Sequence, residues 1–480
     1  MQLSHLQWLL VVGSSLALWW VAPRARTAEA FYAGRARERA PGFWTLLASL
    51  VISWLFAKSL TVAANLGLAY GLVGGVGYAC YYLSFGVAGL VLYRLRTRGG
   101  FASIHDFLRR KHGPTAVALF SVLIALRLFN EVWSNTMVIG SYFGDAGTTG
   151  YYAAVLVFTA LTLAYSLKGG MGSSLLTDAV QMGLFAVLLA GLLGLMAGAP
   201  PPAPDPAAAP PPQTWGAWTL AGGLDFVLLA LVQVLSYPFH DPVLTDRAFL
   251  GAPRPTRRAF LWAVPVGIAC IVLFSLVGVY ARALGLEGEA PVAVARSLGV
   301  GALLVVNLIM VTSAASTLDS TFSSWAKLAV VDLGLGRPTV AGGRWAMVAL
   351  VLAGTVPVFL GADIISATTI SGLMVVGLAP VFLLWRLEVP PWSFHVSALT
   401  GVAFGLGTLA LGYPDWMRFG ETKYAGLLGA SVTGTALAFV LFAGSRVVLP
   451  GHPVRLSPKP ATTPPSPPPS PAPHARNSLP

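Results

Sequence analysis

Charge is what this sequence has least of. Only 10% of its 480 residues are Asp, Glu, Lys or Arg, while 56% are hydrophobic and the mean hydropathy is +0.73. A water-soluble globule of this length cannot be coated with so little polar surface. The bilayer must therefore be the main solvent. Cysteine is nearly absent. Cys80 and Cys270 each fall inside an apolar run, which argues against a disulfide framework and against a thiolate metal site. No His-Glu-x-x-His, Gly-x-Ser-x-Gly or Gly-Lys-Ser/Thr phosphate loop occurs, so the sequence reads as a non-enzyme without a cofactor.

What the chain does contain is long apolar runs. Stretches able to cross ~30 Å of hydrocarbon need about twenty residues each. They fall near 5–22, 43–68, 72–93, 114–143, 150–167, 172–198, 216–239, 259–281, 298–328, 344–361, 364–385, 393–411 and 424–443. The expectation is an all-α polytopic membrane protein with about thirteen transmembrane helices. The start Met-Gln-Leu-Ser-His lacks the basic region and cleavage site of a secretory signal, so the first run is read as a retained span.

The net charge of +12 would suit nucleic acid or anionic lipid if it were spread evenly, and it is not. With the N-terminus outside, the inner loops hold Arg24, Arg26, Arg35, Arg37, Arg39, Arg94, Arg96, Arg98, Arg109, Arg110, Lys111, Lys168, Arg247, Arg254, Arg257, Arg258, Arg337, Arg344 and Arg386. The outer side keeps Arg282, Arg296, Arg418 and Lys423. Such asymmetry is the positive-inside signature. It predicts an outside N-terminus and a cytoplasmic C-terminus, and it removes the nucleic-acid reading. Arginine outnumbers lysine 24 to 6 beside 52 glycines and 35 prolines, which points to a GC-rich bacterial source and hence to the inner (plasma) membrane. The Pro-rich stretch from Ala199 to Pro212 reads as an outer linker, and the Pro/Ser/Ala-rich tail as a disordered cytoplasmic spacer.

An ionisable side chain at membrane depth costs roughly 2.5–3.5 kcal/mol or more, so each one marks a functional candidate. Those inside expected spans include Lys58, Arg127, Glu131, Asp178 and Asp319. Hydroxyls and amides share those spans, among them Ser49, Ser53, Asn135, Thr177, Gln181, Ser313, Ser316, Thr317 and Ser320. Any single serine serves equally well as a small residue that lets helices approach. In Ser236-Tyr237-Pro238-Phe239-His240-Asp241-Pro242, two prolines remove amide donors and stop a helix early. Freed carbonyls at that depth suit a cavity or an ion, although an ordinary helix exit fits as well.

Four segments carry a family resemblance. Tyr165-Ser-Leu-Lys-Gly-Gly-Met-Gly-Ser-Ser-Leu-Leu-Thr177-Asp178-Ala-Val-Gln181 resembles the Tyr-Thr-x-x-Gly-Gly…Thr-Asp-x-x-Gln signature of sodium:solute symporters. Ser313-Ala-Ala-Ser316-Thr317-Leu-Asp319-Ser320 is similar to that family's Ala-x-x-Ser-Thr-x-Asp-Ser segment. Phe31-Tyr-Ala-Gly34-Arg35 resembles its Phe-x-x-Gly-Arg loop, and Asp246-Arg247-Ala-Phe-Leu its Gln-Arg-x-Leu helix ending.

The resemblance implies a LeuT-like 5+5 inverted-repeat core. Residues 1–42 would then form an extra helix and basic loop, 43–386 the core, 387–445 two added helices and 446–480 the tail. The first core helix is expected to be unwound at the membrane midplane. By the same resemblance, Na+ would be held by carbonyls of Ala48, Val51 and Ser313 and by hydroxyls of Ser316 and Thr317. Ser313, Ser316 and Thr317 share one helix face, and a hard cation wants several oxygens. Asp178, with Thr177 and Gln181, would form a second cation or exit site. Lys58, Glu131, Asn135, Ser53 and Tyr237 are the substrate or gating candidates. Lys58 lies seven residues beyond Val51, about 10 Å along a helix, where it either pairs with Glu131 or attracts a substrate carboxylate. Arg127 and Glu131, four apart, are also placed to pair with each other.

The aspartate that proline-type carriers place near Leu50 to Ile52 is missing, as are the sugar-binding polar residues of the glucose-type branch between Ser49 and Ala57. The implied activity is cation-coupled, Na+-driven import of a small organic solute such as an amino acid or carboxylate. A proton-coupled carrier of the same fold and a transporter-like sensor are the alternatives.

Overall fold

The computed structural model describes residues 3–34, 40–199, 214–360 and 372–448. Arg35, Arg37 and Arg39, the linker at 200–212, the first half of the run at 364–385 and the tail from 449 lie outside the described residues. Among the described residues the chain is helical throughout, with no strand. Nine helices are long and apolar enough to cross a bilayer, and a bent pair, Phe43–Trp54 and Ala57–Tyr70, supplies a tenth candidate. Leu3–Val21, Leu220–Gln233 and Leu378–Leu383 lie where three further spans are expected.

The bend in the pair is 62°. Its break falls at Leu55 and Phe56, one turn beyond the place expected for unwinding. The helix runs unbroken through Ala48 and Val51, and the Leu55 amide bonds back to the carbonyls of Val51 and Ile52 at 3.0 and 3.1 Å. Neither glycine nor proline makes this break; side chains from other helices hold it. The Tyr82 hydroxyl donates to the Trp54 carbonyl at 2.6 Å, taking up an acceptor the interrupted helix leaves free.

A second break follows Gln233. Residues Tyr237–His240 make a single tight turn before a new helix starts at Pro242. Proline at a first helical position gives up no intrahelical bond. The Asp241 carboxylate caps that helix, accepting from the amides of Val243 at 3.0 Å and Leu244 at 3.4 Å. Trp54 Nε1 donates to Asp241 Oδ2 at 2.9 Å, which ties the two breaks together.

Small residues let the long helices close around these breaks. Ala57–Tyr70 packs on Pro253–Ala283 through Gly67 and Gly278. A Cβ on Gly278 would lie 1.7 Å from the Ala64 carbonyl oxygen, and one on Gly67 2.4 Å from that of Ser275. Backbone contact of this kind is how transmembrane helices associate without a hydrophobic driving force between them.

Candidate functional site

A cavity of about 270 Å³ opens beside the break in the first core helix. Trp54, Phe56, Tyr81 and Tyr237 give it an aromatic wall, with Lys58 and Gln233 among its polar groups. Tyr70, Glu289 and Lys423 also line it, and Glu289 and Lys423 are exposed. Gln233 is not free to turn, since Oε1 accepts from the Tyr81 hydroxyl at 2.7 Å and Nε2 donates to Ser431 at 3.2 Å. An aromatic wall with fixed amide and hydroxyl groups suits a compact organic solute.

Behind Lys58 runs a chain of four alternating charges. Lys58 Nζ lies 2.9 Å from Glu131 Oε2 and donates to Ser134 Oγ at 3.1 Å. Glu131 Oε1 lies 2.9 Å from Arg127 Nη1, and Arg127 Nη2 is 2.8 Å from Asp241 Oδ2. Arg127 also donates to the Tyr237 hydroxyl at 3.1 Å. Asn135 Nδ2 donates to Glu131 Oε2 at 2.8 Å. None of the four charged residues is more than 5% exposed, and their formal charges sum to zero. Glu131 takes both cations, so the two pairings weighed from sequence occur together. Lys58 and Tyr237 line the cavity; Glu131 and Asn135 stand one layer behind it.

Ser53 belongs elsewhere, in a second buried cluster built around Arg247. By sequence Arg247 is an inner-loop charge, but its side chain is fully buried. Its Nε donates to Ser49 at 2.7 Å, and its Nη2 contacts Ser53 at 3.1 Å, Ser320 at 2.8 Å and Asp178 Oδ2 at 3.0 Å. Asp178 Oδ1 accepts from Ser316 at 2.5 Å and Oδ2 from Ser49 at 2.5 Å. The hydroxyls of Ser174 and Thr177 donate to Asp319 at 3.0 and 2.8 Å. Asp319 has no cation against it among the described residues. Two buried carboxylates thus stand in one cluster with a single guanidinium, which of the two contacts only Asp178, and the formal sum is −1.

The residues expected to hold cations lie in and beside this cluster. Ser316 bonds Asp178, so the two sites expected to be separate are joined. Thr317 Oγ1 donates to the Ser313 carbonyl at 3.0 Å. The Ser313 hydroxyl and Gln181 Oε1 are buried without a hydrogen-bond partner among the described residues, while Gln181 Nε2 donates to the Thr312 carbonyl at 3.2 Å. Ala48 and Val51 sit in intact helix, so their carbonyls are less free than an unwound segment would leave them. The donor set of carboxylates, hydroxyls and carbonyls is all oxygen, as a small hard cation requires.

On the arginine-rich side, Lys327 Nζ bridges Asp246 at 2.7 Å and Asp332 at 2.9 Å. His105 Nδ1 is 3.6 Å from Asp332 Oδ2. Burial nonetheless pushes the His105 imidazole down to about 4, against the opposing pull of Asp332. These residues line a separate cavity of about 170 Å³ that shares no residue with the aromatic one.

No family model matches the chain. Among curated proteins, mouse sodium/glucose cotransporter 1 is 23% identical over 186 residues, covering 37% of this chain and 27% of the cotransporter. Rat sodium/glucose cotransporter 2 is 27% identical over 187 residues, covering 38% of this chain and 27% of its own length. The matched stretch thus spans about a quarter of those relatives. Among solved structures, a Na+-coupled sialic acid symporter in a substrate-bound outward-open state superposes with a TM-score of 0.69 at 13% identity, covering 92% of this chain and 98% of that one. A nucleobase-cation-symport-1 family transporter in a closed conformation, with bromovinylhydantoin bound, gives 0.51 at 12% identity, covering 89% and 94%. The fold is shared with these proteins over nearly the whole chain.

Proposed function

We propose that this multi-pass membrane chain, a LeuT-fold relative of the sodium:solute symporters, imports a small organic solute by alternating access, driven by a monovalent cation. One observation carries the reading: Asp178, Asp319 and Arg247 leave one negative charge uncompensated in a fully buried cluster. An isolated buried charge costs several kcal/mol, so the cluster calls for one further positive charge. Serine and threonine oxygens around it favour Na+, with a proton on Asp319 as the alternative. One such charge moving down ~100 mV supplies about 2.3 kcal/mol, enough to concentrate a neutral solute roughly fiftyfold.

The cation is assigned to Ser313, Ser316 and Thr317, next to the Ala48 and Val51 carbonyls, with Asp178, Thr177 and Gln181 as the second station. The solute is assigned to the aromatic cavity, where Lys58 and Tyr237 are the contact candidates. The working core is residues 43–386, with 1–42, 387–445 and 446–480 as additions. The arginine distribution supports an outside N-terminus and a cytoplasmic C-terminus in a bacterial plasma membrane. We assign the chain no catalytic role and no cofactor beyond the coupling ion.

Uptake into proteoliposomes tests the reading directly. Labelled proline, other amino acids, short carboxylates and urea are offered with an inward Na+ gradient, with a proton gradient and with neither. Uptake that follows the Na+ gradient and is lost in Ser316→Ala with Thr317→Ala supports it. Uptake that follows only the proton gradient transfers the coupling to H+. No gradient-dependent uptake of any solute, with the protein folded and inserted, favours a sensor.

A further inference from the structure

A third cavity, about 410 Å³, lies on the arginine-rich side and belongs to neither site above. Arg94 and Arg98 are one turn apart at the end of the Ser84–Thr97 helix, and Arg386 follows the Leu378–Leu383 helix. All three are exposed and border the cavity, whose remaining lining is Leu383, Leu384, Trp385 and Leu387. Lys58, Arg127, Arg247 and Lys327 all have carboxylate partners, but no ion pair is found for Arg94, Arg98 or Arg386 among the described residues. The wall is held in place. The Arg386 guanidinium rests 5.1 Å from the Trp385 ring centre, Lys111 Nζ donates to the Trp385 carbonyl, and the rings of Phe101 and Trp385 meet edge-on at 6.5 Å.

We propose that this cavity binds the headgroup of an anionic phospholipid, with the phosphate among Arg94, Arg98 and Arg386 and an acyl chain on the leucines. Guanidinium groups match phosphate oxygens in geometry and charge, and basic pockets at the ends of spans collect anionic headgroups. The leucines select for a ligand with a hydrocarbon part, which free phosphate lacks. The chain's own tail is a poor occupant, since beyond Pro450 it carries Arg455, Lys459 and Arg476 but no Asp or Glu.

The test uses the purified full chain in detergent, with binding followed by native mass spectrometry and thermal shift. Phosphatidylglycerol, phosphatidylcholine of the same acyl chains and inorganic phosphate are added separately. Phosphatidylglycerol should bind more tightly than phosphatidylcholine. The R94Q/R98Q/R386Q variant should lose on the order of a hundredfold in phosphatidylglycerol affinity, at about two-thirds of a tenfold step per arginine near the surface, with phosphatidylcholine binding unchanged. If the triple variant does not fold, R98Q alone should weaken binding by roughly fivefold. A control, R24Q/R26Q/R337Q, removes equal charge from exposed positions elsewhere and should leave binding intact. Equal affinity for the two lipids, an equal loss in the control, or reproduction of the whole effect by inorganic phosphate overturns the proposal.

Discussion

Lys58, in the wall of the aromatic cavity, and Glu131 behind it form an ion pair of 2.9 Å, with side chains 5% and 3% exposed. The pair is one link of a neutral four-charge chain, so its members are not equivalent. Glu131 neutralises two cations, whereas Lys58 meets one anion. Lys58→Met should destabilise the protein by roughly 3–5 kcal/mol, the cost of stranding a buried charge. Glu131→Gln should cost more. Lys58→Met with Glu131→Gln leaves Arg127 matched by Asp241, so the double variant should be more stable than the sum of the singles by about 1–3 kcal/mol. Denaturation in detergent measures this, and strict additivity would dissolve the chain into independent contacts.

Lys58 has a second test that does not depend on stability. If its ammonium attracts a solute carboxylate, the K58M/E131Q variant should raise the KM for carboxylate solutes while leaving urea or other neutral solutes unaffected. Equal transport of carboxylates by this variant and the parent removes Lys58 from the binding role.

At the Gly278 contact a single added methyl group meets backbone. A Cβ there would lie 1.7 Å from the Ala64 oxygen and 2.6 Å from the Leu68 nitrogen, and neither can yield like a flexible side chain. Gly278→Ala should lower stability by about 1–3 kcal/mol by parting the two helices. Gly183→Ala, where the added atom meets nothing within 4 Å, is the control and should stay near the parent in thermal unfolding.

His105 links stability to pH. Its folded value is held down at about 4 by burial, and the same cause holds His112 at about 3. Between about 6.5 and 4 the unfolded chain binds more protons at His105 than the folded one does, so stability falls as pH falls through that window. The His105 share is at most about 3 kcal/mol, at 1.36 kcal/mol for each pH unit. Melting temperature should drop from pH 7 to pH 5, and His105→Gln should flatten part of that drop. An unchanged slope would place the acid sensitivity elsewhere.

Much of the architecture was legible in the sequence because its causes are local. Apolar runs mark the spans, and Pro238 and Pro242 mark the second break by the amide donors they remove. The first break has no such mark, since Leu55 and Phe56 are ordinary helix residues. It is held by Tyr82 and Asp241, distant in sequence, which is why it lies a turn beyond the expected Ala48 and Val51. Arg247 was missed for the same reason. Its position fits a basic loop, and only the folded chain brings Ser49, Asp178 and Ser320 around it. Ser53, expected among the solute contacts, instead accepts from Arg247. Arg127 and Glu131 could be paired by their spacing alone, but the fourth member of the chain, Asp241, could not.

The charge imbalance in the Arg247 cluster makes Asp319 the most informative single position. Asp319→Asn brings the formal sum of the cluster to zero while keeping an oxygen able to accept from Thr177 Oγ1, now at 2.8 Å. The parent should melt at a higher temperature in Na+ than in choline, because a cation that binds only the folded state stabilises it by RT ln(1 + [Na+]/Kd), about 2.7 kcal/mol at a hundred times Kd. In Asp319→Asn that Na+ increment should vanish, while the melt in choline should equal or exceed that of the parent. Coupled uptake should be lost with it. If the proton is the coupling ion, the parent shows no Na+ increment, and Asp319→Asn instead abolishes uptake driven by a pH gradient. A variant that retains the full Na+ increment would mean that the missing charge is supplied elsewhere, and the cluster would then be a structural ion pair with a neutral Asp319.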